Sequence, residues 1–143
     1  MIRAINQFEM TLPARSENEG FARRCVSAFL ATLDPTVGEL ADLRTAVSEA
    51  VTNCVVHAYK GREDGMIYIS VWCYEGRKVV IRIKDKGCGM EDPETCRQPL
   101  YTTDPTGERG GMGFVIMESF TDKMKIKTEK GKGTTVTLVK KLF

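Results

Sequence analysis

A chain of 143 residues can bury one hydrophobic core and is too short for two of ordinary size, so a single domain over 1–143 is expected. Charged residues at 28% and apolar residues at 42% exclude a disordered tail or a fibre. The net charge is +2, and Lys and Arg are interleaved with Asp and Glu along the sequence; this gives no basic stripe and predicts no direct nucleic-acid contact.

From the N-terminus, residues 2–12 alternate, with Ile2, Ala4, Phe8, Met10 and Leu12 on one parity, which predicts a strand with one buried face ended by Pro13. Ser16 followed by Glu19 reads as a helix start, and Phe21, Cys25, Phe29 and Leu33 repeat at helical spacing over 17–33. DPTVGEL reads as a turn. Leu40, Leu43, Val47, Ala50, Val51, Cys54 and Val55 then form the apolar stripe of a second, longer helix, which KGREDG closes. Strands over 66–74 and 78–84 make a hairpin around Glu75 and Gly76. Residues 85–113 hold no lasting apolar period, which marks a functional loop or lid. A short helix over 113–121 and a hairpin of 124–128 with 134–140, turning at EKGKG, complete the pattern.

The five cysteines, Cys25, Cys54, Cys73, Cys88 and Cys96, are widely spaced and include no C-x-x-C pair, so neither a disulfide framework nor a zinc site follows. Cys25, Cys54 and Cys73 fall in apolar patterns and read as small core hydrophobes of a reduced protein. MIRAINQFEM has no signal-peptide core, and no stretch approaches the roughly 20 apolar residues of a membrane span. The expected location is cytoplasmic, away from membranes.

Three groupings carry chemistry. Glu49, Asn53 and His57 stand at i, i+4 and i+8 on the second helix, which places them on one side opposite the apolar stripe. An Asn oxygen suits magnesium, and a Glu one turn away can take a proton from an attacking hydroxyl or water; by itself the spacing also fits a solvated helix face. DKGCGM puts Asp85 at a strand end with Gly87 and Gly89 beside it, either a plain turn or an acceptor for an exocyclic amine such as that of adenine. In GERGGMGF, Gly107, Gly110, Gly111 and Gly113 lead into a helix, exposing backbone N–H groups to phosphate, with Arg109 suited to a terminal phosphate.

In this order, and closed by G-T-T in the last hairpin, the motifs resemble the N, G1, G2 and terminal Thr boxes of the GHKL ATP-binding fold. SENEGFAR, LDPT, VSEAVTN, RQPLYTT and GMGFVIME further resemble the anti-sigma F factor family of spore-forming bacteria over nearly the whole chain. The resemblance implies an α/β (α+β) two-layer sandwich, with a mixed, mainly antiparallel sheet, helices on one face and a mobile ATP lid over 97–113. It implies a protein-serine kinase and anti-sigma factor using ATP or ADP with Mg2+. Asn53 would hold the metal, Glu49 would act as base and Asp85 would read adenine. Arg109 would contact the terminal phosphate. Thr102, Thr103, Met112 and Thr134 or Thr135 would line the nucleotide. Glu19 and Arg23 on the first helix would grip partners. Those partners would be a sporulation sigma factor of the sigma F type, an anti-anti-sigma protein of the STAS type and a second copy of the chain. The chain departs from the family pattern at Gly110, where Ser is common, at Cys54 in place of Ala, and at Ala58 in place of Gly.

Overall fold

The computed structural model describes residues 3–60, 64–89 and 113–143. In chain order they form β1 (Asn6–Pro13), α1 (Asn18–Ala31), α2 (Val37–Asn53), a π-helical turn (Cys54–Ala58), β2 (Met66–Tyr74), β3 (Lys78–Asp85), α3 (Gly113–Ser119), β4 (Lys123–Glu129) and β5 (Gly133–Lys141). The five strands make one sheet in the order β1-β2-β3-β5-β4, and every described pair is antiparallel. Strand alternation sends Ile67, Ile69 and Val71 of β2, Val79, Ile81 and Ile83 of β3, and Val136 and Leu138 of β5 into the core. There they meet Leu43, Ala46, Val47, Ala50 and Val51 of α2 and Met117 of α3. The two-layer, mainly antiparallel architecture expected from the sequence is the one observed.

The first helix packs on a different row from the predicted one. Ala22, Val26 and Leu30 are its buried residues, whereas Phe21 is 55% exposed and Cys25 only half-buried. The apolar arc is wide enough to contain both rows, and the small Ala22 lies in the one turned to the core. Phe29, at the margin, packs tilted against Phe8 of β1 with ring centroids 4.8 Å apart.

The predicted start at Ser16 also differs. Glu17 occupies the N-cap without a side-chain cap bond, and the Glu19 carboxylate pairs with Arg23 instead. A capping box does form, at Thr36 and Glu39, inside the segment read as a turn. Thr36 Oγ1 accepts from the Glu39 N–H at 3.0 Å, and Glu39 Oε1 accepts from the Thr36 N–H at 2.8 Å. Glu39 is buried, and its other oxygen accepts from the Phe143 N–H at 2.7 Å. These backbone donors hold its carboxyl below the usual range, Thr36 contributing most.

Candidate active site

Glu49 and Asn53 lie one turn apart on α2, and both side chains reach the start of α3. A Cβ placed on Gly113 would lie 3.2 Å from Glu49 Oε2 and 3.3 Å from Asn53 Oδ1, so acid and amide are near neighbours beneath the head of that helix. Asn53 Nδ2 is buried without a hydrogen-bond partner among the described residues. An unpaired buried amide of this kind costs about 1–3 kcal/mol, which a ligand in contact with it would offset. The expected alignment of His57 with these two does not carry through. From Cys54 the chain winds as a π-helix, with the Tyr59 N–H reaching Cys54 O at 3.2 Å, and the extra residue in the turn breaks the α-helical phase.

Asp85, at the end of β3, is 6% exposed. Its Oδ1 accepts from the Gly87 N–H at 3.0 Å and the Thr134 N–H at 3.2 Å, and its Oδ2 faces the Cys54 thiol at 3.7 Å. Burial pushes the carboxyl above the usual range, and these donors pull the other way. Burial, then the charge of Asp85, pushes the Cys54 thiol well up, so Cys54 is a neutral donor. An aspartate fixed on both oxygens still has lone pairs to offer, which suits it to receive an amine N–H.

The two glycines of DKGCGM are required by close approach. A Cβ on Gly87 would collide with the Ala58 carbonyl, and Gly89 (φ +70°) lies against the backbone of Glu129. The Cys88 N–H donates to that same Ala58 oxygen at 2.9 Å, which ties the loop to the π-helical turn. Tyr59 adds a second tie that its place in the sequence did not suggest. Its hydroxyl donates to Met66 O at 2.6 Å and accepts from the Lys86 N–H at 2.7 Å. Cys54 was likewise read only as core; its place directly after Asn53 was the available signal.

Of the two candidate threonines, Thr134 is buried beside Asp85, and its hydroxyl is 2.8 Å from that of Thr128. Thr135 pairs with Lys84 and Lys127 and so belongs to the opposite face of the sheet. Glu19 and Arg23 form an ion pair at 3.2 Å on α1, and Arg23 Nη1 also reaches Ser48 Oγ at 3.4 Å, next to Glu49. Thr102, Thr103, Gly107, Arg109, Gly110, Gly111 and Met112, with the predicted lid up to 112, lie outside the described residues.

No group of three or more His, Cys, Asp or Glu able to hold a metal occurs among the described residues. The oxygen-bearing side chains at the head of α3 among the described residues are Asn53 and the adjacent Glu49. So few hard oxygen donors fit magnesium, which keeps most of its shell as water and phosphate oxygens. Nor is any described helix long and apolar enough to cross a membrane.

A family profile described as a histidine kinase-like ATPase domain matches residues 12–140. The anti-sigma F factor of Anoxybacillus flavithermus is 50% identical over 137 residues, covering 96% of this chain and 93% of the relative. That of Clostridium beijerinckii is 48% identical over 95% of this chain and 94% of the relative. Among solved structures, the RsbU and RsbW domains of a Mycobacterium tuberculosis protein align with a TM-score of 0.68 at 21% identity, over 96% of this chain and 32% of that longer one. A histidine kinase domain from Erythrobacter litoralis aligns at 0.58 and 18% identity, over 87% and 61%. At these identities the likeness to the solved structures is one of fold.

Proposed function

The chain belongs to the anti-sigma F factor family, built on a histidine kinase-like ATPase domain, and from that premise we propose that it is an ATP-dependent protein-serine kinase as well as an anti-sigma factor. It holds a sporulation sigma factor of the sigma F type and phosphorylates an anti-anti-sigma partner of the STAS type on serine. The observation that carries this reading is the buried Asn53 amide, unpaired among the described residues, beside Glu49 at the head of α3. A solvated helix face would leave no such group buried.

In this reading Asp85 receives the exocyclic amine of adenine, held in place by Gly87, Thr134 and Cys54. Asn53 Oδ1 would ligate magnesium, which when bound neutralises charge on the phosphates. The seryl oxygen bonds to the γ-phosphorus as the bond to the bridging oxygen breaks, and ADP departs with that electron pair. Glu49 takes the seryl proton. Arg109 and the glycines of the lid contact the terminal phosphate. The transferred group adds about −1.5 to −2 charges to the partner, enough to expel it by repulsion and desolvation. Glu19 and Arg23 form part of the partner surface. β1, an edge strand with its outer side unpaired among the described residues, is open to a second copy.

The test is incubation with γ-labelled ATP, Mg2+ and a candidate anti-anti-sigma protein, followed by mass spectrometry. Label on a partner serine that disappears with Glu49→Gln supports the kinase. Free phosphate without labelled protein points to an ATPase, and tight ATP binding with neither product to a nucleotide-gated binding module.

A further inference from the structure

The charges that interleave in the sequence are sorted by the fold. Strand alternation turns Lys123, Lys125 and Lys127 of β4 to the face of the sheet away from the core, all exposed. The register brings Arg82 and Lys84 of β3 to the same face, separated from the β4 lysines only by Thr135 and Thr137 of β5. No described helix covers this side. Its acids among the described strand residues are few: Glu9 lies on β1 at the far edge, and Glu129 is paired with Lys132 at 3.3 Å. Among the described residues nothing neutralises Lys125 or Lys127. Together with Arg82, Thr135 and Thr137 they line an open cleft of 440 Å³.

The edge and the rings determine which anion fits. β4 is the last strand of the sheet, so the backbone groups on its outer side have no strand partner among the described residues. The aromatic rings on this face are already covered by cations: Arg82 lies 4.7 Å over Trp72, Lys86 5.0 Å over Tyr68 and Lys78 6.0 Å over Tyr74. Covered rings make a poor platform for stacking bases, which disfavours single-stranded nucleic acid. An extended peptide instead pairs its backbone with β4 and, with Asp or Glu at alternate positions, places every carboxylate above the row of Lys123, Lys125 and Lys127. We propose that β4 and the open sheet face dock an acidic protein segment by strand addition, a site on the other side of the sheet from Asp85.

Trp72, the single tryptophan of the chain, lies three strands from β4, so binding is read by the heat released in calorimetry. The chain is titrated with a short blocked peptide alternating Glu and Thr, with its Gln counterpart, and with an oligothymidylate of similar charge. The proposal expects a saturable change with the Glu peptide only, weakened by raising the salt from about 50 to about 300 mM. Lys125→Glu/Lys127→Glu should weaken binding at least about tenfold, and Lys125→Gln/Lys127→Gln less, with circular dichroism and thermal unfolding unchanged. No saturable change would leave the lysines as guards against edge pairing and overturn the proposal. Tighter binding of the oligonucleotide, or full affinity in the charge-reversed variant, would overturn it equally.

Discussion

The Cys54 thiol points at Asp85 Oδ2 from 3.7 Å, so the carboxylate is gripped from the π-helical turn as well as by the backbone of β5 through Thr134. Burial holds the Asp85 pKa above its unfolded value, so ionisation works against the folded state. The favourable contribution exists while the folded carboxyl keeps its proton and is lost as pH rises through the raised pKa. Asp85→Asn should therefore raise the unfolding temperature of the nucleotide-free chain at neutral pH. The gain should fade below about pH 4, where the unfolded carboxyl is protonated too. ATP affinity, measured by calorimetry, should fall at least about tenfold, since the amide turns a donor toward the adenine amine. Unchanged affinity would remove Asp85 from the nucleotide site.

Gly113→Ala tests the crowding at the head of α3. The new methyl must displace Glu49 Oε2 and Asn53 Oδ1 by a few tenths of an ångström. Alanine also favours the helix over glycine by up to about 1 kcal/mol. The variant should be as stable as the parent or slightly more so, yet slower in phosphoryl transfer by about tenfold or more. Parent-like transfer kinetics would show that neither side chain needs its observed position.

Thr134→Val and Thr135→Val separate the two faces of β5. The first removes the hydroxyl contact with Thr128, at roughly 1 kcal/mol, and should weaken nucleotide binding. The second alters only the open face and should leave nucleotide affinity intact. Equal losses in the two variants would contradict the assignment.

Glu39 predicts the opposite pH behaviour to Asp85. Its pKa is depressed, so its contribution is present above the unfolded value of about 4.3 and is lost as pH falls through the lower folded value. Glu39→Gln should lower the unfolding temperature at pH 7, and the gap from the parent should close in acid. A gap constant with pH would mean that the charge of Glu39 is irrelevant to its caps.

Much of the fold was legible because the central strands alternate β-branched and polar residues between clear turns, and 66–74 emerged with its observed bounds. What stayed hidden depended on tertiary choices. Hydrophobicity could not tell the Phe21 row from the Ala22 row on α1, since contact with α2 and the sheet selects between them. The Thr36–Glu39 box was masked by its own turn-like surroundings, and helical spacing could not anticipate a π-turn after Asn53. In the candidate site, Glu49, Asn53 and Asp85 were recognisable from motif order. The choice between Thr134 and Thr135 needed the strand register, as did the gathering of Lys123, Lys125 and Lys127 on one face.

The bond from the Phe143 N–H to Glu39 fastens the end of the described chain beside the first turn of α2. Asn53 lies at the other end of that helix, 14 residues from Glu39, or roughly 20 Å at the α-helical rise. A fluorophore or affinity handle fused after Phe143 therefore emerges well away from Asn53 and the candidate site, and serves for surface immobilisation without obstructing it.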